Sequence, residues 1–219
     1  AITVPLYATS SEAQVQYIVD DAQIRIMFVG EQQQYDVATR VMPLCSTLER
    51  IVIYDDKVKR NPQDVASVYF SDFVKDVITD GRKACLSEMR RQLTPEDIAN
   101  ILYTSGTTGE PKGVMLHHSN YNAQWKVHMD VLPQLHLPNQ VSMNFLPLTH
   151  VFERAWTFLC FESGIEVCIN TDPHVISRSL QEIHPTMMCS VPRFWEKVFD
   201  GVQAKIAAMS PIMQSVVRN

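Results

Sequence analysis

Residues 101–118 read ILYTSGTTGEPKGVMLHH. Six of the eight residues from Thr104 to Pro111 are Thr, Ser or Gly, and a lone lysine, Lys112, follows at once. The hydroxyls of Thr104, Ser105, Thr107 and Thr108 can donate to phosphate oxygens without adding charge. Gly106 and Gly109 let the backbone turn tightly and approach a ligand, and successive N–H groups in such turns form anion-binding concavities. Lys112 adds one compact positive charge. These parts suit a polyphosphate. They are not the common nucleotide P-loop, which needs Gly-Lys adjacent and then Ser or Thr. Here Glu110 and Pro111 separate Gly109 from Lys112, and Gly113 follows. Composition alone describes a turn-rich surface loop equally well. The order T-S-G-T-T-G-x-P-K-G, set just before the apolar residues 114–116, is one a linker has no reason to hold.

Such a loop needs a strand before it and a framework around it. Residues 98–103 read as that strand. Before it, residues 1–7 read as a short strand, and Thr9, three residues ahead of Glu12, fits a capping box for a helix with Val15, Ile18, Val19 and Ala22 at helical spacing. Residues 24–30 read as the next strand, giving a strand–helix–strand unit with parallel strands. A helix over 32–45 and a strand over 50–56 follow. Residues 65–91 mix helical spacing with polar breaks and read as a surface crossing. Thr94-Pro95-Glu96-Asp97 carries the signature of a helix start.

After the loop, the expectation is a helix over 119–131, a strand over 141–148 and an apolar helix over 151–162 stopped by Ser163-Gly164. A strand over 165–170, a helix over 173–183, a buried strand over 186–192 and a final helix over 195–208 complete the pattern. Strands alternate with helices, and the buried ones are near-continuous apolar runs. The fold class is α/β, a doubly wound, mostly parallel sheet flanked by helices. Ligands in such sheets sit beyond the carboxyl ends of strands, where residues 104–112 fall.

The 219 residues carry a net charge of −5 with the two signs mixed, and no basic stripe marks a nucleic-acid partner. Cysteines 45, 85, 160, 168 and 189 are odd in number and nowhere spaced C-x-x-C. They argue against a disulfide framework or zinc site and for reduced thiols, with Cys160, Cys168 and Cys189 as small core residues. No apolar run is long enough to cross a bilayer, and no signal peptide opens the chain. The chain starts on a strand and ends in mid-pattern, so it reads as a fragment of a longer protein.

The stretch YTSGTTGEPKGVMLHHSN (103–120) resembles the signature loop of the adenylate-forming, AMP-binding superfamily, which includes acyl-CoA synthetases, luciferases and peptide-synthetase adenylation domains. NFLPLTHVFERAWTF (144–158) matches its Leu-Pro-Leu-x-His element. His-Val-Phe-Glu-Arg, VPLYATSS (4–11) and SVPRFWEKVFDGV (190–202) look like the long-chain fatty acyl-CoA synthetase branch. The resemblance covers essentially the whole chain. It implies part of the large N-terminal α/β domain of an acyl-CoA synthetase, with residues 1–171 as one subdomain, 172–219 as the start of its neighbour, and the C-terminal domain absent.

The implied chemistry is that of a long-chain-fatty-acid–CoA ligase. A carboxylate attacks the α-phosphate of Mg·ATP, giving acyl-adenylate and pyrophosphate; coenzyme A then displaces AMP to give the thioester. The resemblance assigns Thr104, Ser105, Gly106, Thr107, Thr108 and Gly109 to the β- and γ-phosphates, Lys112 to the same loop or its phosphate contacts, and the Thr104 hydroxyl to magnesium. His150 would orient the reacting carboxylate and α-phosphate; read by itself, it is a structural histidine at a helix start. The magnesium-holding Glu of a Tyr-Gly-x-Thr-Glu segment, the ribose-binding Asp and the catalytic Lys of the family have no match here and would lie beyond Asn219. The fragment alone is therefore expected to be inactive.

Trp156 and Phe158 could line an acyl tunnel, although Trp156 reads better as core. Glu153 and Arg154 read as a surface or interdomain pair. His117 and His118, adjacent on a strand, point apart and do not make a metal pair. Implied partners are ATP, fatty acid and coenzyme A. A cytoplasmic location is expected, peripheral at a membrane if the substrate is membrane-derived, with no basic amphipathic helix to support that contact. Two further readings stay open: an adenylation domain for another carboxylic acid with a carrier-protein acceptor, and a non-catalytic nucleotide-binding module.

Overall fold

A computed structural model describes residues 1–75, 79–104, 110–210 and 213–214. The chain divides into two compact units, Ala1–Lys126 and Val127–Asn219.

In the first unit, helix α1 (Glu12–Asp21) starts two residues later than the Thr9 signature suggests. Ser11 Oγ accepts from the Gln14 N–H at 3.3 Å, and Gln14 Oε1 accepts from the Ser11 N–H at 3.0 Å. The box is thus Ser11–Gln14, which satisfies two N–H groups that the helix itself leaves unpaired. Strand β1 (Ile26–Val29), helix α2 (Gln32–Val41) and strand β2 (Arg50–Ile53) form a parallel strand–helix–strand unit. The helix is shorter than the expected 32–45, because Pro43 turns its end into a 3-10 segment, Met42–Leu44. The polar crossing holds an unforeseen strand, β3 (Ser67–Tyr69), parallel to β2. Helices α3 (Phe70–Phe73) and α4 (Asp80–Gln92) follow it.

Burial alternates along β1, with Met27 and Val29 inward. Those residues, Ile51 and Ile53 pack against Val15 and Val19 of α1 and Tyr35, Ala38 and Val41 of α2. Within this core the Tyr35 hydroxyl donates to Asp64 Oδ2 at 2.9 Å and accepts from the Asn61 N–H.

The hairpin of β4 (Ile98–Thr104) and β5 (Lys112–His117) is antiparallel. Residues 1–7 do not pair with β1; Thr3 alone makes a parallel bridge, to Asn100 of β4. The Thr94–Asp97 stretch starts no helix. Its Asp97 carboxylate accepts from both the N–H and the hydroxyl of Thr94, at 2.6 and 3.0 Å, closing a turn. The carbonyls of Pro95 and Asp97 then accept from the Ser119 and His118 N–H groups at the start of α5 (His118–Val131), so the turn caps that helix.

In the second unit, β6 (Val141–Asn144), α6 (Val151–Glu162) and β7 (Glu166–Ile169) form another parallel strand–helix–strand unit. The expected strand over 186–192 contributes one bridge, Met187 to Ser142. Thr186 spends its hydroxyl on the Val141 backbone, and Pro192 already begins α8 (Pro192–Ala207), leaving little strand between them. Helix α7 (Ile176–Ile183) begins after a turn in which Asp172 Oδ1 accepts from the His174 N–H. The α/β class with parallel strands flanked by helices is what the sequence indicates, built from short sheets of three, two and two strands among the described residues.

Candidate functional site

Thr104 closes β4 and Lys112 opens β5, and the two are cross-strand partners at the hairpin's end. Both are exposed. Residues 105–109 lie outside the described residues, so the structure gives no geometry for Ser105, Gly106, Thr107, Thr108 and Gly109. What it does fix is the spacing of their flanks: one hydroxyl and one ammonium group carried by directly opposed backbones.

One residue in from that end, Tyr103 faces Gly113. A Cβ built on Gly113 would stand 2.9 Å from Ile101 Cγ2 and 3.0 Å from Tyr103 Cζ. The Tyr103 hydroxyl donates to Asp21 Oδ2 at 2.5 Å, and its ring meets Tyr17 edge-on with centroids 6.4 Å apart. Burial first, and then the Asp21 hydrogen bond, push the Tyr103 phenol above its usual range.

His150 stands at the N-cap of α6, with extended backbone (φ −88°, ψ 138°) and an exposed side chain. Its N–H donates to the Pro147 carbonyl at 3.0 Å, so the Leu-Pro-Leu turn sets where the helix starts. The helix's positive end favours negative charge beside this residue. Arg154 Nε donates to the Leu148 carbonyl at 2.8 Å, a second tie across the same turn.

Behind His150 the inward face of α6, which also buries Leu159 and Cys160, carries a polar layer. Trp156 Nε1 donates to Ser142 Oγ at 2.9 Å, Ser142 Oγ to Asn144 Oδ1 at 2.7 Å, and Asn144 Nδ2 to Thr157 Oγ1 at 2.7 Å. Thr157 Oγ1 then donates to the Glu153 carbonyl at 2.8 Å. Trp156 is thus half-buried and held by its indole N–H, short of full core, while Phe158 is exposed.

Glu153 is no surface partner of Arg154. It is fully buried, and neither carboxylate oxygen has a hydrogen-bond partner. Burial pushes its carboxyl up to about 7; the nearby Phe145 N–H and Cys189 thiol favour the charged form and offset this only in part. Burial, and then the nearby Glu153 charge, raise the Cys189 thiol to about 12.

His117 ends β5, where its ring nitrogen Nδ1 bonds the Glu96 carbonyl, and His118 opens α5 instead of continuing the strand. Among the described residues no group of three or more His, Cys, Asp and Glu side chains could hold a metal. Cys45, Cys160 and Cys189 are buried, Cys168 is only half-buried, and Cys85 is exposed.

Sequence reasoning missed the Tyr103–Asp21 bond, whose partners lie 82 residues apart. It also missed the buried carboxyl of Glu153. Ser142 and Asn144, inside the otherwise apolar run 141–148, were the available signal for the polar layer.

The family model of AMP-binding enzymes matches residues 1–218. The chain belongs to the AMP-binding enzyme family. A long-chain-fatty-acid–CoA ligase, ACSBG1, of Rattus norvegicus is 29% identical over 218 residues, covering 95% of this chain and 29% of the relative. Fatty acyl-CoA synthetase A of Dictyostelium discoideum is 32% identical over 208 residues, covering 91% of this chain and 29% of the relative. The chain therefore spans about three tenths of the length of these relatives.

Among solved structures, a putative long-chain-fatty-acid CoA ligase from Rhodopseudomonas palustris superimposes with a TM-score of 0.71 at 16% identity, covering 91% of this chain and 46% of that one. ATP-bound MatB from the same organism gives 0.60 at 18% identity, over 90% of this chain and 35% of that one. At such identities these likenesses show the fold alone, an α/β arrangement shared with part of each of these chains.

Proposed function

We propose that this chain is part of an ATP-dependent fatty acid:CoA ligase that forms an acyl-adenylate and then an acyl-CoA, releasing pyrophosphate and AMP. One observation carries the reading: the AMP-binding family match runs through essentially the whole chain, and relatives at about 30% identity bear the names of a long-chain-fatty-acid–CoA ligase and a fatty acyl-CoA synthetase.

In this reading residues 104–109 bind the β- and γ-phosphates, and Lys112 offsets their charge from the opposing strand. His150 orients the carboxylate and α-phosphate at the positive end of α6. Adenylation needs charge neutralised on the phosphates and the two reactants held in line. Magnesium suits this donor set, because it prefers substrate phosphates with few protein ligands to an all-protein cage. The Thr104 hydroxyl would be this chain's contribution, and the ion would supply further neutralisation of the phosphates. Val151, Phe158 and Phe161 share one exposed face of α6, which suits an apolar acid. Residues 1–171 form one subdomain in this reading and 172–219 open the next.

The test is thioester formation by the full-length protein with ATP, magnesium, coenzyme A and saturated acids of increasing length. Product rising towards the long acids supports the reading. Acyl-adenylate that accumulates without acyl-CoA, and moves to a carrier protein, favours a peptide-synthetase-like role. Residues 1–219 alone are expected to give no thioester.

A further inference from the structure

Antiparallel register decides which side chains share a face, and a slip of one residue turns every side chain over. In the β4–β5 hairpin the residue next to the tip on β5 is Gly113, which has no side chain with which to specify a pair. Glycine inside a strand weakens it, and an aromatic residue directly opposite restores packing by lying over the bare backbone. Tyr103 does this, with Cζ and Oη at 3.0 and 3.2 Å from where a Gly113 Cβ would stand. Gly113 has no left-handed backbone angle. Glycine is needed there for space.

The far side of Tyr103 is also held. Tyr17 and Asp21 are four residues apart on α1 and so share a face. Tyr17 meets the Tyr103 ring edge-on, and Asp21 accepts its hydroxyl proton at 2.5 Å. Asp21 is the last residue of α1, where the helix dipole disfavours a negative charge. A carboxylate in that place is explained by the hydrogen bond it accepts. Side chains alternate along a strand, so Thr104 and Lys112 project from the opposite face of the hairpin to Tyr103.

We propose that Tyr103, Gly113 and Asp21 form a positioning clamp that fixes the hairpin register, holding Thr104 opposite Lys112 for nucleotide binding. The clamp rests on the adenylation reading. Tyr103 and Asp21 are positioning residues that act through the tip and touch no substrate.

The test uses the full-length protein and separate KM values for ATP and for the acid, with Tyr103→Phe, Asp21→Asn and the double variant. Each single change is expected to raise the KM for ATP about 10–100-fold, the worth of one hydrogen bond to a charged group, with the KM for the acid within about twofold. The double variant should be no worse than either single one, since the two groups make one interaction. Gly113→Ala should share the ATP-selective defect; if it does not fold, the other variants carry the test.

Unchanged KM values for ATP, multiplicative effects in the double variant, or equal rises for ATP and acid with a lower Tm overturn the clamp alone. A parent protein that binds no ATP overturns the adenylation reading and the clamp with it.

Discussion

The β4–β5 hairpin and helix α6 each present a candidate reactive side chain to solvent, and they hold it by opposite means. At the hairpin, Lys112 and Thr104 are placed by backbone register, steadied by one ring over one glycine and one hydroxyl–carboxylate bond. At α6, His150 is placed by the start of a helix whose inward face holds a chain of buried hydrogen bonds from Trp156 to Thr157, with the uncompensated Glu153 carboxyl beside it. Register is cheap to specify and cheap to lose. A satisfied buried polar layer makes each member costly to remove, because its partner is left unpaired. The hairpin should therefore fail selectively, through nucleotide affinity, and the α6 region through stability and its dependence on pH.

The apolar core of the first unit sets the upper end of the scale. Ile51 is fully buried between β1 and β3, and Ile51→Ala should cost about 2–5 kcal/mol through lost burial and the cavity left behind. Chemical denaturation or hydrogen exchange across β1 and β2 would measure it. A loss below about 1 kcal/mol would mean that this core is not packed as described.

Glu153→Gln probes the contrasting region. The native carboxyl at about 7 lies above its unfolded value, so the folded state binds the proton more tightly. Its penalty is small below the unfolded value near 4.5, grows as pH rises towards 7 and is then constant. The neutral amide removes that pH-dependent loss. Glu153→Gln should stabilise the protein by up to about 3 kcal/mol at pH 8 and change little at pH 4.5. A Tm difference independent of pH would show that Glu153 is not held in an uncompensated site.

The smallest effect is chemical. Cys85 is exposed on α4, whereas Cys45, Cys160 and Cys189 are buried with their thiols pushed up, Cys45 to about 11. The thiolate is the reactive form. Limited alkylation should label Cys85 first and spare those three until the chain unfolds, with little change in Tm. Early labelling of Cys160 or Cys189, read by peptide mass, would contradict the buried α6 face.

What could be read from sequence divides along the same line. The strand before the loop and the bounds of α6 are local: a short apolar run ahead of a turn, and an apolar helix run closed by Ser163-Gly164. The parallel strand–helix–strand units follow from alternating patterns for the same reason. What could not be read depends on distant residues. Residues 1–7 looked like a partner of β1, but the bridge from Thr3 goes to Asn100. Thr94-Pro95-Glu96-Asp97 has the letters of a helix start, yet Asp97 turns back on Thr94 and caps the next helix instead. β3 is only three residues long and sits in a polar stretch. Glu153 looked like surface because charged residues rarely stand buried without a partner.

The most direct measurement is acid-dependent ATP–pyrophosphate exchange by the full-length protein, with Lys112→Ala and His150→Ala beside the parent sequence. Exchange greatest with long fatty acids, and reduced about 100–1,000-fold in each variant, is the expected result for groups that stabilise charge during adenylation. A protein that binds ATP but exchanges no pyrophosphate with any fatty acid, or variants that exchange as fast as the parent, would contradict the account.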